Sequence, residues 1–219
     1  MRIVIAGGHG QIALVLATRL TAGGHTVQSL LRRPDGADDV TAAGAEPVLF
    51  DLENGTAEEL AEVIRDADAV VFAAGAGPGS SVERKYTVDL GGSVLLADAA
   101  EGAGVGRFVQ VWSMGAGAPA ARGSDPVWVA YLDAKTKAED DLRSRALDWT
   151  IVRPGGLLNT GALGLVDLAP HTGRGTVPRA DVAEVLAELL EQHAAGRQTL
   201  ELVSGSTPIP AAVEAWKGR

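Results

Sequence analysis

Two side chains with complementary acid–base chemistry stand four residues apart in the sequence, at Tyr131 and Lys135. On a helix this spacing places both side chains on one face. A lysine ammonium beside a phenol favours the phenolate and lowers the tyrosine pKa from about 10, so the tyrosine could act as an acid or base near neutral pH. The other tyrosine, Tyr86, has Leu90 at the equivalent spacing. An ordinary surface helix carrying a Tyr/Lys pair is the alternative interpretation.

A third polar group, Ser113, directly follows the apolar run from Arg107 to Trp112, which predicts a strand. Ligands of open α/β sheets bind at the carboxyl ends of the strands. A serine hydroxyl at that edge could donate a hydrogen bond to a substrate carbonyl and polarise it. The candidate catalytic residues are therefore Ser113, Tyr131 and Lys135, with a serine that merely ends a strand as the alternative.

The N-terminus combines an apolar run, Ile3 to Ile5, with a glycine-rich turn and an amphipathic segment that starts at Gln11. A strand, a glycine turn and a helix N-terminus together form a phosphate-binding unit, because unpaired N–H groups and the positive end of the helix dipole face the turn. The spacing Gly7-x-x-Gly10-x-x-Ala13 matches a dinucleotide fingerprint with alanine in its third position. A tight strand–helix connection without a ligand is the alternative.

The second predicted strand, Thr26 to Leu31, ends at Arg32-Arg33-Pro34. In dinucleotide-binding units this position reads the adenosine ribose, and arginine there suits a 2′-phosphate where an acid would suit a free hydroxyl. Arg32 and Arg33 therefore favour NADP over NAD, although two solvated surface arginines would give the same pattern.

Strands and helices alternate along the chain with short connections, which predicts a doubly wound parallel sheet, the Rossmann fold, in a single domain over 1–219. We expect a small C-terminal part, from about residue 155, to line the substrate site. The prediction includes one long helix from Ser81 to Ala103, a helix from Trp128 to Ala146, and an irregular stretch from Leu157 to Pro178. Trp128 and Trp149 are interpreted as packing residues.

Composition excludes several classes of protein. The net charge of −9 over 219 residues argues against a nucleic-acid partner, and the chain contains no cysteine to bind a metal or form a disulfide. The histidines are scattered, so we predict no metal site. No apolar run reaches membrane length, and the first strand begins at once, so a cytoplasmic location without a membrane partner is expected. Whether the chain is a monomer or a homodimer is left open.

Taken in order, the motifs resemble the atypical short-chain dehydrogenases/reductases, small single-domain NAD(P)-binding proteins related to epimerases and flavin reductases. The likeness covers nearly the whole chain. It is carried by Gly7 to Ala13, Asp51-Leu52, Ala73-Ala74-Gly75, Val88 to Gly92, Ser113, Tyr131-x-x-x-Lys135 and Arg153-Pro154-Gly155.

This resemblance implies that Tyr131 is the general acid/base, that Lys135 lowers its pKa and holds the nicotinamide ribose, and that Ser113 orients the substrate. The candidate cofactor-binding residues are Gly7, Gly8, His9, Gly10, Gln11, Ile12, Arg32, Arg33, Asp51, Leu52, Ala73, Ala74, Gly75, Lys135, Pro154, Gly155 and Leu157. Two departures stand out. The interval from Ser113 to Tyr131 is wide, and Asp89 stands where many relatives carry asparagine.

The function expected from these residues is NADP-dependent hydride transfer between nicotinamide and a small carbonyl or alcohol substrate. The alternatives are an NAD(P)-sensing regulatory protein without catalysis and a flavin- or biliverdin-type reductase. A nucleotide-sugar substrate is disfavoured, because only about sixty residues follow Gly155 and relatives of that kind devote a larger C-terminal region to the sugar.

Overall fold

The computed structural model describes residues 1–77 and 79–218. Its strands are β1 (Arg2–Ala6), β2 (Thr26–Leu31), β3 (Glu46–Leu49), β4 (Ala69–Phe72), β5 (Arg107–Val111), β6 (Asp148–Pro154), β7 (Gly156–Leu158), β8 (Leu165–Ala169), β9 (Thr176–Pro178), β10 (Gln198–Ser204) and β11 (Thr207–Pro208). Its helices are α1 (Gln11–Ala22), α2 (Ala37–Ala42), α3 (Ala57–Ile64), α4 (Val82–Arg84), α5 (Gly92–Ala103), α6 (Pro126–Ser144), α7 (Arg179–Glu191) and α8 (Ile209–Glu214).

Nine strands form one sheet in the order β11-β8-β10-β6-β5-β4-β1-β2-β3. Pairing is parallel from β10 to β3, while β8 pairs antiparallel with both β10 and β11. The order reverses at β1, which lies between β2 and β4. In doubly wound sheets the ligand crevice opens at this reversal, outside the carboxyl ends of the strands. The predicted Rossmann fold is confirmed.

Two hydrophobic cores cover the faces of the sheet. Leu16 and Leu20 of α1 join Leu186 of α7 on one face, and Leu60 of α3 joins Leu96 of α5 on the other, all of them fully buried. Central strands such as β1 and β4 are buried on both faces, which explains their uninterrupted apolar runs.

The long helix predicted from Ser81 to Ala103 is broken by a π-helical segment, Lys85–Gly91, between α4 and α5. Wide turns of this kind are frequent at functional sites. α6 begins at Pro126, two residues before the predicted start, because Asp125 caps it by accepting hydrogen bonds from the N–H groups of Val127 and Trp128 at 2.8 and 3.2 Å.

The stretch 157–178 is not irregular, contrary to the prediction. It contains β7 and β9, which pair with each other in parallel, and β8, which extends the main sheet. In β8, Val166 and Leu168 are buried while their neighbours Leu165 and Asp167 are exposed. This two-residue alternation is weak over five residues, and the partner strand β10 is distant in sequence, so local patterning did not reveal it.

Candidate functional site

The glycine turn after β1 is shaped by close backbone contacts. Gly7 has a φ of +81°, and a Cβ built on it would lie 2.6 Å from the Cα of Ala74. A Cβ on Gly8 would lie 2.3 Å from the Cβ of Ser29. Only glycine satisfies both positions, because the turn is pressed against the ends of β2 and β4.

The first turn of α1 is open toward this crevice. Gly10 is the N-cap and provides no side-chain hydrogen bond, so the N–H groups of the helix start, at Gln11 and Ile12, are not covered by a capping side chain. Unpaired N–H groups at a helix N-terminus bind anions, and a pyrophosphate fits this arrangement.

A cavity of about 370 Å³ extends from this turn along the carboxyl edge of the sheet. It collects nine of the candidate cofactor-binding residues: Gly7, His9, Gly10, Arg32, Asp51, Leu52, Ala73, Ala74 and Gly75. The His9 ring is held at its rim, with Nε2 2.7 Å from Asp39 Oδ2. Nine of the candidate residues therefore line one cleft, and their binding of a dinucleotide stays a prediction.

At the β2 end of the cleft, Arg32 is not free. Its Nη1 donates to Glu53 Oε2 at 3.0 Å, and the same carboxylate accepts hydrogen bonds from Arg84 at 2.7 Å and Thr87 at 2.6 Å. Burial raises the pKa of Glu53, but the hydrogen bonds from Thr87 and Arg84 outweigh it and hold the pKa below its usual value. Glu53 and Arg84 both line the cleft, and neither was predicted from the sequence.

Arg33 is not among the residues that line the cleft. Its side chain is 66% exposed and lies 3.4 Å from Asp35. Asp51 accepts hydrogen bonds from Asn54 Nδ2 and the Glu53 N–H, and the bond from Asn54 is the main cause that lowers the pKa of Asp51. Asp51 thus shapes the loop after β3 as well as lining the cleft.

The catalytic candidates meet at one place. The Ser113 hydroxyl lies close enough to the Tyr131 phenol to lower its pKa, so the wide interval between them in sequence does not keep them apart. The hydrogen bond that Ser113 Oγ donates goes to the Met114 carbonyl, at 3.1 Å. The ammonium of Lys135 lies 5.1 Å from the centre of the Tyr131 ring and 3.3 Å from that of Trp112. The Trp112 indole N–H also donates to the Lys135 carbonyl at 2.9 Å, which fixes α6 against β5.

Lys135 has a buried acidic partner. Its Nζ lies 3.1 Å from Oδ1 of Asp89, on the π-helical segment, and both side chains are almost completely buried. Burial lowers the pKa of Lys135, and the Asp89 carboxylate opposes this shift. The other oxygen of Asp89 accepts the N–H of Ala76 at 3.1 Å, which ties the loop after β4 to the same pair.

The direction of the Tyr131 pKa differs from the expectation. Burial raises the pKa of Tyr131, the neighbouring Ser113 hydroxyl lowers it by less, and the charge of Asp89 raises it further. Because Lys135 is neutralised by Asp89, its charge does not shift Tyr131 toward the phenolate as the spacing alone suggested.

Trp128 is not a packing residue. It is 47% exposed, and its ring stacks on the Tyr131 ring with centres 5.2 Å apart and planes 20° apart. Trp149 is 6% exposed, in agreement with its predicted packing role.

Pro154, Gly155 and Leu157 line neither the cleft nor the cavity beside Tyr131. Pro154 accepts the Met114 N–H at 3.2 Å, Gly155 donates to Leu202 at 2.9 Å, and Leu157 lies in β7. Their cofactor-binding role stays a prediction from the resemblance.

Among the helices in residues 1–77 and 79–218, none combines the length and the apolar composition that a membrane span requires. Within the same ranges, no three His, Cys, Asp or Glu side chains are grouped as metal ligands.

Comparison with known proteins shows the family of the chain. The model of the NAD(P)H-binding family matches residues 7–193, and the chain belongs to that family. The "uncharacterized sugar epimerase YhfK" of Bacillus subtilis is 32% identical over 215 residues, covering 98% of this chain and 99% of that protein.

Solved structures give the same result. A Bacillus halodurans protein, provisionally named an NAD-dependent epimerase/dehydratase, is 34% identical, with a TM-score of 0.90 over 98% of this chain and 99% of its own. The anaerobillin reductase ChuY of Escherichia coli O157:H7 is 26% identical, with a TM-score of 0.77 over 93% and 97% of the two chains. The predicted resemblance to atypical short-chain dehydrogenases/reductases is confirmed at the level of fold and family.

Proposed function

We propose that this protein is an NADP-dependent oxidoreductase of the short-chain dehydrogenase/reductase type, acting on a small carbonyl or alcohol substrate. The observation that carries the proposal is the meeting of Ser113, Tyr131 and Lys135 beside a preformed dinucleotide cleft. Gly75 lines both the cleft and the cavity beside Tyr131, so the two spaces adjoin.

Each side chain of the site has a separate role in the proposed reaction. NADPH, when bound, supplies the hydride for the carbonyl carbon. Tyr131 gives its phenolic proton to the carbonyl oxygen, and its raised pKa keeps that proton in place at neutral pH. Ser113, whose hydroxyl lies beside the phenol, would orient the same oxygen. Lys135 and its partner Asp89 hold the floor of the site rigid.

The preference for NADP rests on Arg32, whose guanidinium lies in the cleft at the end of β2. A 2′-phosphate placed there would be shared between Arg32 and Arg84, which already bind one carboxylate together. Arg33, exposed and outside the cleft, contributes less.

The test is a titration with NADPH and NADH, followed by NADPH oxidation in the presence of a panel of small aldehydes, ketones, flavins, linear tetrapyrroles and nucleotide sugars. We expect NADPH-dependent reduction of a carbonyl compound and a roughly 100-fold loss of rate in Tyr131→Phe. Tyr86→Phe is the matched control, since Tyr86 bonds Asp133 at 2.8 Å.

Two other functions give different results. A flavin- or biliverdin-type reductase, for which ChuY is the relevant relative, needs little side-chain acid and would leave Tyr131→Phe nearly fully active. A dinucleotide sensor would bind NADPH and oxidise it with no compound of the panel.

A further inference from the structure

The cavity beside Tyr131 contains a second buried lysine that the proposed reaction does not use. Lys85 begins the π-helical segment and is only 6% exposed. Its Nζ donates one hydrogen bond to the carbonyl of Gly77, at 2.9 Å. Within residues 1–77 and 79–218, no carboxylate forms an ion pair with it. An ammonium has three donors, so Lys85 has capacity for another acceptor.

Lys85 lies next to the candidate catalytic residues. The cavity has a volume of about 510 Å³ and is lined by Lys85, Asp89, Trp128, Tyr131 and Lys135 among others. The Nζ of Lys85 is 5.5 Å from the centre of the Tyr131 ring. Its charge is one of the causes that lower the pKa of Lys135.

The charges in this cavity do not balance. Asp89 is committed to Lys135 at 3.1 Å and to the N–H of Ala76 at 3.1 Å. Asp125 lies at the exposed mouth, where its carboxylate accepts the first N–H groups of α6. The buried part of the cavity therefore holds two ammonium groups against one carboxylate, a net charge of +1, and a buried charge without a partner is costly.

We propose that Lys85 is a substrate-binding residue that pairs with a carboxylate of the substrate. A substrate with one negative charge neutralises the net charge of +1, whereas a dianionic phosphate ester would leave a net charge of −1. The remainder of the substrate is apolar or aromatic, because it would lie against the rings of Trp128 and Tyr131, which are stacked with 5.2 Å between their centres. The substrate class is thus an aryl or alkyl oxo acid, and this assignment rests on the proposed function.

The test uses a matched pair of ligands, benzoylformate and its neutral methyl ester, titrated calorimetrically into the protein of residues 1–219 with saturating NADP⁺. The wild-type protein should bind the acid about tenfold or more tightly than the ester, as expected for one buried charge-assisted hydrogen bond. Lys85→Met should lose this preference through weaker binding of the acid alone, with NADPH affinity unchanged. Lys85→Arg should keep it.

Lys137→Met, on the exposed face of α6, is the control and should behave as the wild type. Lys85→Gln, which retains a donor toward Gly77, gives the same readout if Lys85→Met fails to fold. Equal binding of acid and ester by the wild type would overturn the proposal, as would an unchanged preference in Lys85→Met. Equal weakening of both ligands would show that Lys85 only supports the loop at Gly77, and tighter binding of phenyl phosphate would refute the carboxylate.

Failure of the proposed function has a separate signature. If the preference for the acid depends on Lys85 but NADPH reduces neither compound, the anion site is supported and the proposed oxidoreductase activity is refuted. If NADPH reduces these compounds but the protein shows no preference for the acid, the oxidoreductase activity is supported and the anion site is refuted.

Discussion

The ammonium of Lys135 lies 3.1 Å from the carboxylate of Asp89, and the two side chains are 7% and 2% exposed. This pair joins α6 to the π-helical segment under the floor of the candidate active site. The pairing also explains why Lys135, four residues from Tyr131, does not lower the pKa of the phenol.

Replacement of Asp89 by asparagine should destabilise the protein strongly. The change leaves the Lys135 ammonium buried without a counter-charge, which typically costs about 3–5 kcal/mol of unfolding free energy. Urea denaturation at about pH 7 measures it. Asp140→Asn, which removes an exposed carboxylate 3.4 Å from Arg143, is the control and should cost less than about 1 kcal/mol.

The same variant should depend on pH in a defined direction. Burial already lowers the pKa of Lys135 below 10.5 in the folded chain, so the unfolded chain binds more protons between the folded and unfolded pKa values, and stability rises with pH across that interval. Loss of the Asp89 carboxylate lowers the pKa of Lys135 in the folded chain further. The pH interval over which stability rises therefore begins at a lower pH. Asp89→Asn should therefore recover part of its deficit in unfolding free energy as the pH rises toward 10.5, the ordinary pKa of lysine. A deficit that stays constant would mean that Lys135 does not titrate there.

The rate of carbonyl reduction should be insensitive to pH through the neutral range. Burial raises the pKa of Tyr131 above its ordinary 10.0, so the phenol retains the proton it must donate until the solution is strongly alkaline. The profile of kcat/KM against pH should decline only above about pH 10. A decline near neutral pH that disappears in Tyr131→Phe would contradict the raised pKa.

Gly7→Ala should impair both folding and cofactor binding. The new Cβ combines a φ of +81° with a contact 2.6 Å from the Cα of Ala74. Gly24→Ala measures the cost of the backbone conformation alone, because Gly24 has a φ of +80° but no atom within 4 Å of its added Cβ. We expect a loss of about 1 kcal/mol for Gly24→Ala and roughly 3 kcal/mol or more for Gly7→Ala, measured by thermal or urea unfolding. Titration should show weakened NADPH binding only in Gly7→Ala.

Arg32→Ala should reduce the preference for NADPH. The loss of one charge-assisted contact to a 2′-phosphate should weaken NADPH binding about 10- to 100-fold, with NADH affected little. Arg33→Ala, at a side chain 66% exposed, provides the comparison and should have a smaller effect. An equal loss of affinity for both cofactors in Arg32→Ala would instead indicate that its pairing with Glu53 shapes the cleft as a whole.

Much of this site could be predicted because its signals are local. A glycine at Gly7 with the helix start at Gln11, and the four-residue spacing of Tyr131 and Lys135, follow from turn and helix geometry. The order of strands and helices then placed Ser113 at the correct edge of the sheet. The strands β7, β8 and β9 within 157–178 were not predicted. The partner of β8 is β10, which is distant in the chain, and β7 and β9 are too short to show a two-residue period.

The sequence by itself determined the glycine-rich turn before α1, the alternation of strands and helices, and the identity of the acid–base candidates, since each depends on residues close together in the chain. Only the tertiary structure decided the electrostatics. Lys135 pairs with Asp89, Arg32 and Arg84 share Glu53, and Lys85 is left beside Tyr131 without an acidic partner among the described residues. These outcomes depend on which elements become neighbours and how deeply each charge is buried, and both are properties of the packed fold.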